Sequence, residues 1–352
     1  MWLNSGHMAP ISANGTGGLA ANPIHTISVV APVRNEGSNV EHFISDLAAQ
    51  DFPGDIEVLV ADGNSDDGSA DRLRAAAWAA GLNLRVLDNP AGWVSQGLNT
   101  CIREARGDLI VRLDCHSRYP ADYLRRCAEL SERTGAWNVG GRLVPTGTTP
   151  MERAVACAMD SPFGGIGWTR VGGGGPVETD TVTFGAFRPE AFERAGLFDE
   201  TLVRNQDDEF NLRLRRAGGQ IVLDPDITVM YRPRGSIGRV WRQYYEYGLW
   251  KVPVMLKHKR VLSMRSVAPL VFVLGSGALL AVAHVPLARR LLILQWSLYG
   301  AAGLGFAVRS VRERGESLGL VPRVLAAFPA FHLGHGSGQA VGWLRVLTRR
   351  GR

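Results

Sequence analysis

The sequence predicts an α/β fold over residues 25–251, a mostly parallel sheet covered by helices on both faces, followed by C-terminal transmembrane helices. Three observations carry that expectation. Continuous apolar, β-branched runs alternate with amphipathic runs between residues 26 and 132. Carboxylates and amides gather where those apolar runs stop, and from residue 252 onward acids almost vanish while long uncharged stretches appear. Strands apolar on both faces belong to parallel sheets sandwiched between helices.

The first strand is TISVVAPV, residues 26–33, broken by Arg34-Asn35-Glu36-Gly37. A helix follows over 38–50, with Val40, Phe43, Ile44 and Leu47 on one face. The alternation continues with strand 56–61, helix 69–80, strand 84–88, helix 93–105, strand 108–113 and helix 120–132. A later helix opens at RNQDDEF and closes at Gly218-Gly219. Residues 1–24 lack both a basic start and an apolar core and read as a flexible leader, not a signal peptide. Cys101, Cys115, Cys127 and Cys157 show no CxxC spacing and read as reduced thiols, neither a disulfide framework nor a zinc site.

Charge divides the chain. Residues 252–352 carry 14 basic and two acidic side chains, whereas residues 1–251 carry 25 basic and 31 acidic ones. An acidic body with a basic, apolar tail points to a membrane surface as partner and not to nucleic acid. Residues 266–288 are free of Asp, Glu, Lys and Arg, enough to cross a hydrocarbon core of ~30 Å. Residues 291–308 form a second uncharged run, and 324–344 a third that carries His332, His335 and Gln339. Two spans leave only Arg289 and Arg290 on the far side, in keeping with the positive-inside rule. The third run then lies in the interface or re-enters the membrane. The alternative is a buried helix pair. The membrane reading makes this a multi-pass protein of the cytoplasmic membrane with its acidic body in the cytoplasm.

Ligands of open α/β sheets bind beyond the carboxyl ends of the strands. Asn35-Glu36, Asp62 and Asp114 all fall there. Around VLVADGNSDDGS, Asp62 ends the strand at a tight turn through Gly63, while Asp66 and Asp67 read as caps of the next helix. No GxGxxG follows the first strand and no GxxxxGK[ST] occurs, so the dinucleotide and P-loop classes are excluded. Gly172–Gly175 reads as a mobile loop near the site. In RLDCHSRYP, Asp114 and His116 stand two apart, and an extended backbone would put both on one side, facing one divalent cation. Mg²⁺ and Mn²⁺ take one or two carboxylates plus phosphate oxygens, and imidazole favours Mn²⁺. A plain strand-end turn accounts for the tripeptide equally well. Asp207, Asp208 and Glu209 begin a helix, where the dipole favours acids and where one carboxylate can also serve as a general base.

Five stretches in this order resemble the family 2 (GT-A fold) inverting glycosyltransferases, and more narrowly the membrane-associated succinoglycan-biosynthesis ExoA-type enzymes: VVAPVRNEGSNV, VLVADGNSDDGS, GLNTCIREARGDLIVRLDCHSRYPADYL, NQDDEFNLRLRRAGG and WRQYYEYGLWK. The resemblance implies a sugar-nucleotide donor, a UDP-hexose at family level. It implies Asp62 at the nucleotide base, with Pro32, Arg34, Asn35, Glu36 and Asn64 beside it. Asp114 takes the metal-binding position of the DxD motif and His116 replaces its last Asp, so Mn²⁺ or Mg²⁺ is the implied cofactor. Asp207 matches the catalytic Asp, with Gln206 in place of the preceding Glu and Asp208 beside it. Gln243 and Tyr247 stand in for the QxxRW element of processive relatives without its Arg-Trp pair, which implies transfer of a single sugar. Arg232 and Arg234 face either diphosphate or lipid headgroups on the acceptor side, or form a solvated face. Trp250 and its aromatic neighbours line a sugar wall, a membrane-interface belt or a helical core.

The expected activity is transfer of one sugar to a membrane-linked, polyprenyl-diphosphate-bound acceptor in exopolysaccharide or cell-envelope glycan synthesis. A catalytically inactive, nucleotide-sugar-binding scaffold is the alternative, and the intact Asp62, Asp114 and Asp207 argue against it. A nucleotidyltransferase would carry a glycine-rich pyrophosphate loop after the first strand, which Arg34-Asn35-Glu36-Gly37 does not resemble.

Overall fold

The computed structural model describes residues 22–164, 175–259 and 264–350. The expected leader lies almost wholly outside the described residues, as do Gly172, Gly173 and Gly174 of the glycine loop. The chain divides into two compact units, Met1–Val144 with Val171–Tyr231, and Pro145–Arg170 with Arg232–Arg352.

The first unit is built on one sheet. Strands β1 (Thr26–Val33), β2 (Asp55–Asp62), β3 (Asn83–Asp88) and β4 (Leu109–Arg112) lie in the order β3-β2-β1-β4, all parallel. Beyond β4 the sheet changes character. β8 (Ala186–Phe187) runs antiparallel to both β4 and β6 (Asn138–Pro145), and β9 (Ile221–Tyr231) runs antiparallel to β5 (Ser117–Arg118) and β7 (Val177–Glu178). The sheet is therefore mixed, with its long ladders parallel. The antiparallel half escapes a periodicity argument because three of its strands are only two residues long.

Alternation along the long strands fills a core on each face. Val29, Ala31, Val33, Val58 and Val60 pack on one side with α1 (Val40–Ala48), α2 (Ser69–Ala79) and α4 (Tyr123–Thr134). Val30, Leu59, Ala61 and Ile110 pack on the other with α3 (Val94–Glu104), α6 (Pro189–Ala195) and α7 (Gln206–Arg216). All four cysteines are buried free thiols. Register then fixes the site: Val33 sits opposite Asp62, Val30 opposite Arg112, and the Leu113 N–H donates to the Val30 carbonyl at 3.0 Å. The carboxyl ends of β1, β2 and β4 consequently meet on one rim.

The second unit is helical: α5 (Pro150–Asp160), α8 (Ile237–His258), α9 (Met264–Ala281), α10 (Pro286–Glu313) and α11 (Val321–Arg350). α5 begins with a reciprocal capping box between Thr149 and Glu152. Arg314 pairs with Asp160, and Ser310 donates to the Cys157 carbonyl, so the end of α10 is fixed to α5.

The expected spans are redrawn. Turns at 282–285 split the 266–288 run, leaving an apolar helix of Ser266–Ala281. Among the described residues one helix, Pro286–Glu313, is long and apolar enough to cross a membrane. The third run is part of a continuous helix, α11, packed lengthwise on α8. Glycines explain the close approach. A Cβ on Gly338 would lie 2.0 Å from the Tyr245 carbonyl, and one on Gly248 would lie 2.0 Å from the His335 carbonyl. Small residues four apart let helix backbones touch in this way.

Candidate active site

Asp62 closes β2, and its two oxygens differ. Oδ2 accepts the Ser65 N–H at 3.1 Å. Oδ1 is buried and has no hydrogen-bond partner among the described residues. Buried polar atoms are nearly always paired, and leaving one unpaired costs ~1–3 kcal/mol.

The surrounding loops are stitched to one another. Asn35 (φ +54°) and Asn64 (φ +56°) adopt left-handed backbone, which asparagine tolerates better than most residues. The Asn35 N–H donates to Ser65 Oγ at 2.9 Å, and its Oδ1 accepts from the Asp66 N–H at 3.0 Å. Asn64 Nδ2 donates to the Pro90 carbonyl at 2.8 Å, tying the loops after β2 and β3. Both amides thus act within the scaffold of the rim. Arg34 lies over Gly63 and Gly92: a Cβ on Gly92 would come within 2.8 Å of its Nη1. Gly63 suits this crowding, since its own Cβ would make a tight contact, 3.2 Å, with the Gly92 Cα. Pro32, near the end of β1, pairs in register with Ala61.

Of the two acids expected to cap α2, Asp67 takes a free N–H of its first residue, Ser69, from outside the N-cap position, whereas the Asp66 N–H is bound to Asn35. The N-cap position is Gly68 (φ +79°). Asp67 bridges two elements, accepting the Ser69 N–H at 3.0 Å and the Gly37 N–H at 2.8 Å. The Ser69 hydroxyl holds the Glu36 N–H at 2.9 Å, which fixes Glu36 on the rim.

Asp114 and His116 do not share one side of an extended strand. The chain turns after β4, with the Ser117 N–H donating to the Asp114 carbonyl at 3.1 Å. The His116 ring faces Glu36, Nδ1 to Oε1 at 3.4 Å, and packs edge-on to Tyr231. Tyr119 holds the Asp114 backbone, its hydroxyl accepting the Asp114 N–H at 2.8 Å. The Asp114 carboxylate turns toward Arg112, whose Nε and Nη2 lie 3.3–3.4 Å away. No group of three or more His, Cys, Asp or Glu side chains able to hold a metal occurs among the described residues.

Arg112 also reaches Asp207, through a short bond from Nη1. One buried guanidinium therefore joins the acid after β4 to the acid in the first turn of α7. Burial of its surroundings raises the Asp207 carboxyl above its ordinary range, against the opposing pull of Arg112. Its side chain keeps 41% exposure, so the carboxylate remains open to an incoming hydroxyl. The neighbouring acids separate by role: Glu209 is fully buried and pairs with Arg213 at 2.9 Å, a structural ion pair, whereas Asp208 is half-buried. Gln206 is buried at the helix start.

The remaining expected residues belong to the second unit. Arg232 is bound to the start of α5, its Nε 2.9 Å from Glu152 and Nη2 3.2 Å from Thr148 Oγ1. Arg234 is exposed. On α8, Gln243 donates to the Tyr247 hydroxyl at 2.8 Å, one turn apart, and Trp250 is half-buried. Tyr244 of the same aromatic group stacks on Phe331 of α11 at 4.3 Å, so at that position helical core packing holds.

Sequence reasoning missed Arg112, Tyr119 and Phe184. A signal existed for the first: Arg112 interrupts an apolar strand two residues before Asp114, the spacing that puts side chains on one side. That rule fits Arg112 and Asp114, not Asp114 and His116. Phe184, whose ring lies 6.0 Å from the Arg112 guanidinium, is distant in sequence and left no local mark.

The model of glycosyl transferase family 2 matches residues 28–175. The chain is 30% identical over 327 residues to the succinoglycan biosynthesis protein ExoA of Rhizobium meliloti (strain 1021), covering 92% of this chain and 96% of that protein. It is 24% identical over 235 residues to the dolichyl N-acetyl-alpha-D-glucosaminyl phosphate 3-beta-D-2,3-diacetamido-2,3-dideoxy-beta-D-glucuronosyltransferase of Methanococcus voltae, covering 64% of this chain and 72% of that protein. The fold is similar to that of the mannosyltransferase PcManGT from Pyrobaculum calidifontis, solved with GDP-Man and Mn²⁺, at TM-score 0.59 and 19% identity over 92% of this chain and 89% of that one. With the family model matched and a 30% identical relative covered almost end to end, the chain belongs to the family 2 glycosyltransferases, of the ExoA type.

Proposed function

We propose that this glycosyltransferase moves one sugar, with inversion, from a nucleotide-sugar donor to a membrane-linked polyprenyl-diphosphate acceptor in exopolysaccharide or envelope glycan synthesis. The observation that carries the proposal is the rim of the first unit, where the orphan oxygen of Asp62 and the Arg112-linked pair Asp114 and Asp207 stand at strand and helix ends. In this reading Asp62 accepts a hydrogen bond from the nucleobase, and Glu36 with the loop after β1 borders the nucleoside. A UDP-hexose is the donor favoured by the family resemblance. A dolichyl glycosyl phosphate in the name of the Methanococcus voltae relative, and a succinoglycan role in that of the Rhizobium meliloti relative, support a lipid-linked acceptor in surface-glycan synthesis.

Asp207 takes the proton from the acceptor hydroxyl as that oxygen attacks the anomeric carbon. One displacement needs one base, and it inverts the configuration. Each of the two cation candidates already faces another group, Asp114 the Arg112 guanidinium and His116 the Glu36 carboxylate, so the pair does not form a ready cation site. The family resemblance assigns Mn²⁺ or Mg²⁺ to Asp114 and His116, which would have to turn from these partners to hold it. When bound, the cation neutralises charge on the nucleoside-diphosphate leaving group. The region 25–251 performs the transfer in this reading, and the basic segment 252–352 attaches it to the cytoplasmic face of the membrane.

The test is to incubate membranes containing the protein with radiolabelled nucleotide sugars and a lipid extract. Label should enter the organic phase from one donor, in a product that mild acid cleaves from its polyprenyl diphosphate. Label that stays water-soluble with every donor would sink the lipid-acceptor reading.

A further inference from the structure

Arg112 is a charged residue where the fold has no use for one. It sits in β4, the strand central to both cores, with 7% of its surface exposed. Its neighbours Ile110, Val111 and Leu113 are all buried apolar side chains. Burying a guanidinium costs several kcal/mol in desolvation, and well-packed apolar residues of similar volume usually serve stability as well or better. What it gains is two carboxylates from different elements. The contact with Asp114 is loose, at 3.3–3.4 Å, whereas the bond to Asp207 is short. Arg112 therefore ties Asp114, through Nε and Nη2, to Asp207, through Nη1.

The guanidinium is itself fixed from behind. The Phe184 ring lies under the charge at 6.0 Å, within cation–π range, and the Arg112 backbone N–H, donating to the Gly185 carbonyl at 3.0 Å, pins the strand that carries it. Phe184 has φ +55°, a left-handed backbone that bulky residues rarely adopt. Its strain is held by a Tyr123 hydroxyl donating to its carbonyl at 2.9 Å and by edge contact with the Tyr119 ring. Such strain persists only where surroundings over-determine it, and it concentrates at functional sites.

We infer that Arg112 is a positioning residue for glycosyl transfer. Its guanidinium, braced on Phe184, aims the Asp207 carboxylate at the acceptor hydroxyl and sets it in register with Asp114 on the donor side. The inference rests on the proposed function, because it presupposes Asp207 as base. It differs from a purely structural ion pair in one respect: the cost of removing Arg112 falls on turnover, through Asp207, and not on donor binding or on the fold. A misplacement of about 1 Å in a reacting group costs on the order of 100-fold in rate.

The test uses the full-length chain in membranes or detergent, with Arg112→Lys and Arg112→Met. Three quantities are read: thermal unfolding, binding of UDP and of GDP in the presence of Mn²⁺, and kcat with KM for the donor that the wild type uses. The expected result is kcat lowered roughly 30- to 100-fold in Arg112→Lys, with KM for donor and nucleotide affinity within about threefold of wild type on the same scale. In an Asp207→Asn background, Arg112→Lys should lower the residual rate no further. An unchanged kcat in Arg112→Lys overturns the inference. So does nucleotide affinity falling in step with turnover, which would assign Arg112 to the donor through Asp114. Unfolding of both variants overturns it too, by making Arg112 part of the core. A wild-type chain that binds neither nucleotide and transfers no sugar removes the function reading itself, and an active wild type with a fully active Arg112→Lys removes only this inference.

Discussion

Asp62, Asp114 and Asp207 are three carboxylates with three different surroundings. Asp62 keeps one buried oxygen without a donor, Asp114 is loosely held by a guanidinium, and Asp207 is gripped by the same guanidinium yet open to solvent. Asp207→Asn should lower transfer by roughly 10²- to 10⁴-fold, the usual worth of a general base, while nucleotide binding stays near wild type. A mutant that still elongates the acceptor at a near-normal rate would remove Asp207 from the base role. Burial raises the Asp207 carboxyl, and a base works only when ionised. Activity is therefore lost as pH falls through that raised value, so the acid limb of kcat/KM should stand above the ordinary aspartate value of about 3.9. A limb at or below that value would contradict the burial assigned to Asp207.

At the scale of elements, the junction of α8 and α11 depends on absent side chains. Gly334, Gly338 and Gly342 recur at four-residue spacing along α11; a Cβ on Gly338 would fall on the Tyr245 carbonyl of α8 at 2.0 Å, and Cβ atoms on Gly334 and Gly342 would press on the Trp241 carbonyl at 3.0 Å and the Val252 side chain at 2.8 Å. Gly248 answers from the other helix. Any side chain on Gly338 forces the helices apart. Gly338→Leu should cost about 1–3 kcal/mol, as overpacking of a tight contact does, and lower the unfolding temperature of the purified protein in detergent. Gly277, on α9, has open space at its Cβ position, so Gly277→Ala is the matched control and should change little.

At the scale of the molecule, α10 has two parts with different surroundings. Leu287, Leu291, Ile293, Leu294, Leu298 and Leu304 are exposed, whereas Ala307, Ser310 and Val311 are buried within the second unit. An exposed apolar helix surface of this length marks an interaction with membrane or another apolar partner. Leu294→Lys with Leu298→Lys should release the protein from membranes on carbonate extraction, because a lysine at the centre of a span costs ~2.5–3.5 kcal/mol. Retention of the double variant in the carbonate-resistant pellet would mean that α10 does not hold the chain in the bilayer.

The sequence by itself determined the parallel half of the sheet, its flanking helices and the rim that carries Glu36, Asp62 and Asp114. Those features follow from local rules: apolar period, turn chemistry and the position of ligands at strand ends. Asp207 was legible for the same reason, as an acid in the first turn of a helix. Only the tertiary structure decided which acids meet. The Arg112 link joins residues 95 positions apart, and long-range pairing of that kind leaves no periodic trace. Tertiary structure also separated Asp207 from Glu209, because what distinguishes two acids two positions apart on a helix is the partner each face meets. It likewise turned Asp114 and His116 away from a shared strand face, since the chain leaves the sheet at the point where extended geometry was assumed. The C-terminal segment shows the converse. Hydropathy finds uncharged stretches but is blind to whether a helix face meets lipid or another helix, and in α11 the glycines, not the apolar residues, hold that answer.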